Sequence, residues 1–359
     1  MSSAWGRLKS RIRSSTKVGR LRRALSRTLE DRLRPLALRA SVRHLHGPRR
    51  VPYRDDELIV LSVVRNGALH VTSFLRHHQA LGVKHIVLLD NGSTDGTVEL
   101  ARAFEGVTIL RSRRPYRTYE TVLKRYLVRR FARGRWSLMV DIDELFDYPC
   151  SDRMGLDALL TYLNRHAYTA VLAQMLDLFS DVPLDRLEST PQDSLRERYR
   201  YYDTSAVERH PYRFGTPANP AIRAHAGGIR KTVFGTENGL TKACLVRLVP
   251  PLIPFVGFHQ AANAAIADFT AVLLHYPFVG TFREKVREAV RTDRYRVSAG
   301  QEYARYWARL SDAADLRLLR PTARRYEGLE PLVDEGFLVV SPEYRRWAEA
   351  QGGRRRDRG

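Results

Sequence analysis

Between residues 57 and 142, four short apolar runs alternate with stretches of helical period, and this limits the fold more than any other feature of the chain. Glu57 to Val64 (ELIVLSVV), Lys84 to Leu89 (KHIVLL), Val107 to Leu110 and Trp136 to Ile142 are too short for buried helices and read as buried strands. Gly67 to Leu81, Thr97 to Phe104 and Thr118 to Arg133 lie between them and read as helices. Strands alternating with helices predict an α/β fold, a doubly wound and mostly parallel sheet with covering helices. Ligands of such sheets gather at the carboxyl ends of the strands, and Asp90 and Asp141 stand at two such ends.

Past residue 150 the pattern loosens. Leu156 to Arg165 reads as a helix and Thr169 to Phe179 as a strand. Residues 180–225, rich in Pro, Asp, Arg and Tyr, read as a long irregular excursion. Ala271 to Leu274 is a short strand ending at His275, and Phe282 to Thr292 and Glu302 to Leu310 look helical. The expected organisation is a basic extension over 1–52, a main domain over 53–312 divided near residue 150, and a helical segment with a basic tail over 313–359.

The net charge of +22 belongs mainly to the ends. Residues 1–50 carry fifteen Lys or Arg against Glu30 and Asp31, and Arg354, Arg355, Arg356 and Arg358 surround Asp357 in the tail. Trp5, Leu8 and Ile12, then Val18, Leu21, Leu25 and Leu29, recur at helical spacing among the arginines. A basic amphipathic helix of that kind suits an anionic membrane surface, although a helix docked on the body or a flexible arm would share the pattern. The amino terminus lacks the uninterrupted apolar core of a signal peptide. No stretch approaches the roughly 20 apolar residues of a spanning helix. Cys150 and Cys244 show neither metal spacing nor a disulfide framework. A cytoplasmic setting, peripheral at the inner face of the membrane, is the expectation.

The chemistry is concentrated where the fourth strand ends, at Ser137-Leu-Met-Val-Asp141-Ile-Asp143-Glu144. In an extended chain residues i and i+2 face the same way, so Asp141 and Asp143 are expected to project together. Two adjacent carboxylates repel each other and need a cation, and a hard divalent ion, Mg²⁺ or Mn²⁺, matches oxygen ligands. A second candidate is Ile86-Val-Leu-Leu-Asp90-Asn-Gly-Ser-Thr-Asp95. Here Asp90 is placed to accept hydrogen bonds from a base or ribose, and Asp95 is read as a helix cap.

These motifs carry a resemblance. Ser62-Val-Val-Arg65-Asn66, Leu81-Gly82-Val83 leading into Asp90 to Asp95, and Asp141-Ile142-Asp143-Glu144 occur in the order of the family 2-like glycosyltransferases of the GT-A fold. The similarity is greatest to the bacterial subgroup related to family 92. It continues through Gly227 to Lys231, Leu240-Thr241-Lys242 and Leu273-Leu274-His275-Tyr276, covering about residues 57 to 310. The resemblance implies inverting transfer of a sugar from a nucleotide-sugar donor to a glycan or glycolipid acceptor, in cell-envelope synthesis. It puts the nucleotide-sugar half at 53–150 and the acceptor half at 151–312. It also implies a donor pocket including Arg65, Asn66, Asp90, Asp141 and Asp143, with Arg230, Lys231 and Lys242 against the diphosphate. His275 would be a third metal ligand beside Asp141 and Asp143, for Mn²⁺ or Mg²⁺. An inverting reaction needs a carboxylate base within about 3 Å of the acceptor hydroxyl. Asp177, emerging from the strand after the acidic motif, is preferred to Glu237 for it. Where that subgroup has Lys-Asn-Glu, this chain has Arg65-Asn66-Gly67.

Three other readings compete with this one. A nucleotidyltransferase on a similar sheet would also use acids and a metal, but the glycine-rich, basic loop expected after its first strand is missing, since Ser62 to Leu69 contains only Gly67. The +22 charge would suit a nucleic-acid-binding protein, but no recognised module appears and the basic residues cluster at the ends, so no nucleic acid is expected. A non-catalytic membrane-associated protein on a similar α/β fold is the third.

Overall fold

The computed structural model describes residues 33–250, 252–255, 259–295, 297–313 and 315–356. Contacts divide the chain into two compact units, 1–42 and 43–359. In the first unit, residues 33–41 are helical. Most of the basic amphipathic pattern lies in residues 1–32, outside the described residues.

The second unit is built on a nine-stranded sheet. Its strands are β1 (Arg43–His46), β2 (Ile59–Val64), β3 (His85–Asp90), β4 (Val107–Arg111), β5 (Trp136–Met139), β6 (Glu144–Asp147), β7 (Ala170–Asp177), β8 (Thr241–Arg247) and β9 (Ile266–His275). Their order is β1-β4-β3-β2-β5-β8-β7-β9-β6. The pairs β4–β3, β3–β2, β2–β5 and β7–β9 are parallel, while β8 runs antiparallel to β5 and β7, β6 to β9 and β1 to β4. Six strands therefore point one way and three the other, a mostly parallel mixed sheet.

Connections explain that pattern. Parallel neighbours need crossovers, and helices supply them. Helices α1 (Ala68–Ala80), α2 (Thr97–Arg102) and α3 (Tyr116–Phe131) make the crossovers of the first half; the other main helices are α4 (Leu156–Arg165) and α5 (Ile229–Phe234) and, after the last strand of the sheet, α6 (Phe282–Thr292), α7 (Val297–Asp312) and α8 (Pro342–Arg356). The central strands β2, β3, β5 and β7 are buried along their whole length, as expected of a sheet covered on both faces. The chain runs outward from β2 through β3 to β4, then returns to place β5 on the other side of β2. The gap between the ends of β2 and β5 is therefore the switch point of the sheet, where a crevice forms.

Most expected elements are present, with boundary shifts that have physical causes. The fourth strand stops at Met139, because Asp141 to Glu144 form a tight turn closed by the Glu144 N–H donating to the Asp141 carbonyl at 3.0 Å. The 180–225 stretch, read as irregular, contains a hairpin pairing Val207–Pro211 with Arg223–Gly227. The carboxyl-terminal segment packs into the same unit. Tyr344 of α8 stacks on Phe269 at 4.0 Å and donates to the Pro149 carbonyl at 2.8 Å, and Trp347 donates to the Ala158 carbonyl at 3.1 Å. Among the described residues, no helix is long and apolar enough to cross a membrane.

Candidate functional site

The ends of β5, β7 and β9 and the start of β8 converge on one cluster of charged groups. The chain turns at Asp141 to Glu144, so the extended backbone on which the two acids were expected to project together is absent. Asp141 accepts from Lys124 of α3 at 3.0 Å through Oδ1 and from Lys242 of β8 at 2.8 Å through Oδ2. Lys242 also donates to buried Glu144. Asp143 has different partners, accepting from Lys285 of α6 at 3.1 Å and lying 3.7 Å from His275 Nε2. The other imidazole nitrogen, Nδ1, is 2.6 Å from Asp177 Oδ1, and Arg230 Nε donates to Asp177 Oδ2 at 2.7 Å. Arg230 also approaches Glu302 of α7 at 3.5 Å, and Glu302 is bonded to the Tyr306 hydroxyl.

Burial and charge oppose each other throughout this network. Burial pushes the Asp141 carboxyl up, but Lys124 and Lys242 outweigh it and hold the group far below the carboxylate range. Burial acts likewise on Asp143 and Asp177, and their cationic neighbours win there too. Glu144 goes the other way, because its burial outweighs the pull of Lys242. Burial disfavours the charged form of His275, yet Asp143 and Asp177 more than compensate and the imidazole is pushed up to about 9.

An aromatic row borders the charges. Tyr116 meets Tyr295 edge-on at 6.1 Å, Tyr295 stacks on Tyr303 at 4.6 Å, Tyr303 meets Tyr306 at 5.6 Å, and Tyr306 meets Phe234 at 4.8 Å. Tyr116, Tyr295 and Tyr303 are half-buried.

Of the expected residues, Asp141, Asp143, Asp177, Arg230, Lys242 and His275 are brought together. Lys231 is not: it lies in partly exposed ion pairs with Glu208 and Glu237, beside the hairpin. Glu237 is correspondingly committed to Lys231. Asp177, the expected base, is 6% exposed and has both oxygens engaged, one by His275 and one by Arg230.

At the β2 and β3 ends the expected donor residues mainly hold the loops. Buried Asp90 accepts from Arg111 Nε at 2.6 Å and from the Ser93 N–H at 2.9 Å. Asn66, at φ +53°, accepts from the Thr94 N–H at 2.9 Å. Asp95 lies one residue before the Gly96 cap of α2 and, from there, accepts from the Thr97 N–H at 3.1 Å and the Ala68 N–H at 3.0 Å, tying the starts of α1 and α2. Arg65 pairs with Glu288 of α6 at 2.8 Å. The departure at Gly67 also has a local explanation: a Cβ there would meet Val64 Cγ2 at 2.9 Å and Ile142 Cγ1 at 3.1 Å, leaving no room for a larger residue.

The metal set expected from the resemblance, Asp141, Asp143 and His275, does not fit a divalent ion as arranged. Asp141 has given both oxygens to lysines, and among the described residues no three His, Cys, Asp or Glu side chains converge as a metal-holding group. A separate concavity, lined in part by Ser73, Arg76, His77, Leu145 and Arg196, includes none of the expected residues. Lys124, Lys285 and Glu302 were not expected at all. Lys124 lies in a predicted helix and Lys285 in another, and helical period alone does not say which residues face a strand end.

No family model and no curated protein matches the chain. Among solved structures, it is similar to a crystal structure of S. aureus TarS 1-349, with 13% identity, 72% of each chain covered and a TM-score of 0.31. It is also similar to the mannosyltransferase PcManGT from Pyrobaculum calidifontis, solved in complex with GDP-Man and Mn²⁺. There the identity is 21%, 42% of this chain and 46% of that chain are covered, and the TM-score is 0.27. At those scores neither likeness carries an argument, and the functional reading rests on the site.

Proposed function

We propose that this protein is a glycosyltransferase that takes a sugar from a nucleotide-sugar donor and passes it, with inversion, to a hydroxyl of a glycan or glycolipid. The observation that carries this is the convergence of Asp141, Asp143, Asp177, His275, Arg230, Lys242 and Lys285 at the carboxyl ends of strands beside the switch point, where an α/β sheet binds ligands. A cluster of cations held at fixed positions by buried acids is preorganised to stabilise negative charge on a departing nucleoside diphosphate. Asp177 fixes the His275 ring through Nδ1 so that Nε2 faces Asp143, and it is the base of this reading: on exchanging one of its partners for the acceptor hydroxyl, its carboxylate takes the hydroxyl's proton as the nucleoside diphosphate leaves. The stacked, half-buried Tyr295 and Tyr303 supply the flat apolar surface against which a sugar ring packs.

Water is a slow acceptor for such enzymes, and that makes a test available before the acceptor is known. Incubation with UDP-, GDP- and dTDP-sugars, followed by NMR, should show release of one nucleoside diphosphate and a free sugar of inverted anomeric configuration. Asp143→Asn, which keeps the size of the side chain, should slow this by about 100-fold or more, a loss of about 2.7 kcal/mol of transition-state stabilisation. Retained configuration would remove the inverting assignment. No turnover of any donor by folded protein, with and without divalent ion, would count against the transferase reading.

A further inference from the structure

The acids of the site are already balanced by the chain's own cations. Lys124 and Lys242, whose side chains are 3% and 4% exposed, hold both oxygens of Asp141. Mn²⁺ or Mg²⁺ bridging the acidic motif would need those oxygens. A divalent ion on those oxygens would crowd a third positive group against Lys124 and Lys242, which would keep only Glu120 and Glu144 as partners, an unfavourable concentration of like charge in the interior.

The open side of the cluster has a different character. Helix α6 buries Phe282, Val286 and Ala289, spaced four and three apart, and this turns Lys285 and Glu288 toward the strand ends. The Lys285 side chain is 37% exposed and its ammonium has three donors, of which Asp143 takes one at 3.1 Å. Arg65 follows β2 directly. Its side chain is 32% exposed, its Nη2 meets Glu288 at 2.8 Å, and its Nε is buried with no hydrogen-bond partner among the described residues. Two partly exposed cations thus stand at the switch point, and a carboxylate of α6 occupies the anion position of one of them.

We infer that the diphosphate of the donor is held here by Lys285 and Arg65 instead of by a divalent ion, with Glu288 as the internal anion that the diphosphate displaces. The inference rests on the nucleotide-sugar reading above. Lysine is an effective phosphate partner as a point charge, and arginine as a fork. Lys124 and Lys242 neutralise Asp141 and leave the two outer cations free of that task.

Calorimetric titration of UDP, GDP and dTDP into the full chain, once in EDTA and once in Mn²⁺, separates the possibilities. One nucleotide should bind with a Kd in EDTA within about twofold of its value in Mn²⁺. Lys285→Met should weaken that binding about tenfold or more under both conditions. Glu288→Gln should tighten it about two- to fivefold by releasing Arg65, a gain that loss of fold cannot imitate. Binding that appears only with Mn²⁺, or is more than about tenfold tighter with it, overturns the inference and leaves the donor reading standing. No binding under either condition removes both.

Discussion

Arg230 is committed to Asp177 at a depth where neither group can be rehydrated, with side chains 9% and 4% exposed. Arg230→Met should therefore destabilise the protein by about 3 kcal/mol, because it removes one of the two cationic partners of a buried carboxylate and leaves only His275. The double variant Arg230→Met/Asp177→Leu should recover part of that loss, and urea unfolding of both variants checks the pair. The histidines set the pH response. Burial lowers His85 and His225 to about 4, so between about 4 and 6.5 the unfolded chain binds protons that the folded chain refuses. Stability should rise with pH across that window, and His85→Gln should flatten the rise. His275 has the opposite sign. Its folded value of about 9 lies above the usual 6.5, so its contribution is complete below about 6.5 and is lost as pH climbs toward 9. Following the His275 ring resonances by NMR should show an imidazolium persisting above pH 8.

At the scale of elements, two contacts decide how the strand ends are presented. Gly67 lies between Val64 and Ile142, where an added Cβ would come within 2.9 Å of a methyl group. Gly67→Ala should cost about 1–3 kcal/mol through overpacking, measured by thermal unfolding, and Gly67→Glu should cost more. That loss would show that the departure from Lys-Asn-Glu reflects packing. Asp95 serves the first turns of both α1 and α2. Asp95→Ala should cost about 1–2 kcal/mol, toward the upper end of single-cap losses because two helices lose an acceptor. Element identity was largely legible from local pattern. Helix α6 was expected over Phe282 to Thr292 and occupies those residues, and α1 differs from its expectation by one residue at each end. What helical period could not say is that α6 sends Lys285 to Asp143 and Glu288 to Arg65, because those partners lie 142 and 223 residues away.

The whole molecule raises the question of its basic end. The expected boundary at residue 52 and the contact-based division at residue 42 differ by the edge strand β1, which pairs antiparallel with β4. A chain beginning at Arg43 should keep the thermal midpoint of the full protein within a few degrees. One beginning at Tyr53 should lose more, because it removes that strand and uncovers β4. Membrane attachment through residues 1–50 remains a proposal founded on charge and helical spacing. Flotation with anionic liposomes tests it: binding should fall about tenfold or more without residues 1–50, since each basic residue near such a surface contributes about 1 kcal/mol. Undiminished binding would end the proposal.

What the sequence determined by itself is the part that depends on near neighbours. Buried runs and helical periods specified the alternating α/β framework, and carboxylates following buried strands marked where its chemistry would lie. Only the tertiary structure decided how that charge is balanced. The chain turns at Asp141 to Glu144 where an extended strand was expected, and Lys124, Lys242 and Lys285 reach the two acids from a helix, an antiparallel strand and a second helix. The electrostatics of a buried site depend on distances across the fold, which local spacing does not encode. The same acidic motif can therefore be read as a metal site in the sequence and found neutralised by lysines in the structure.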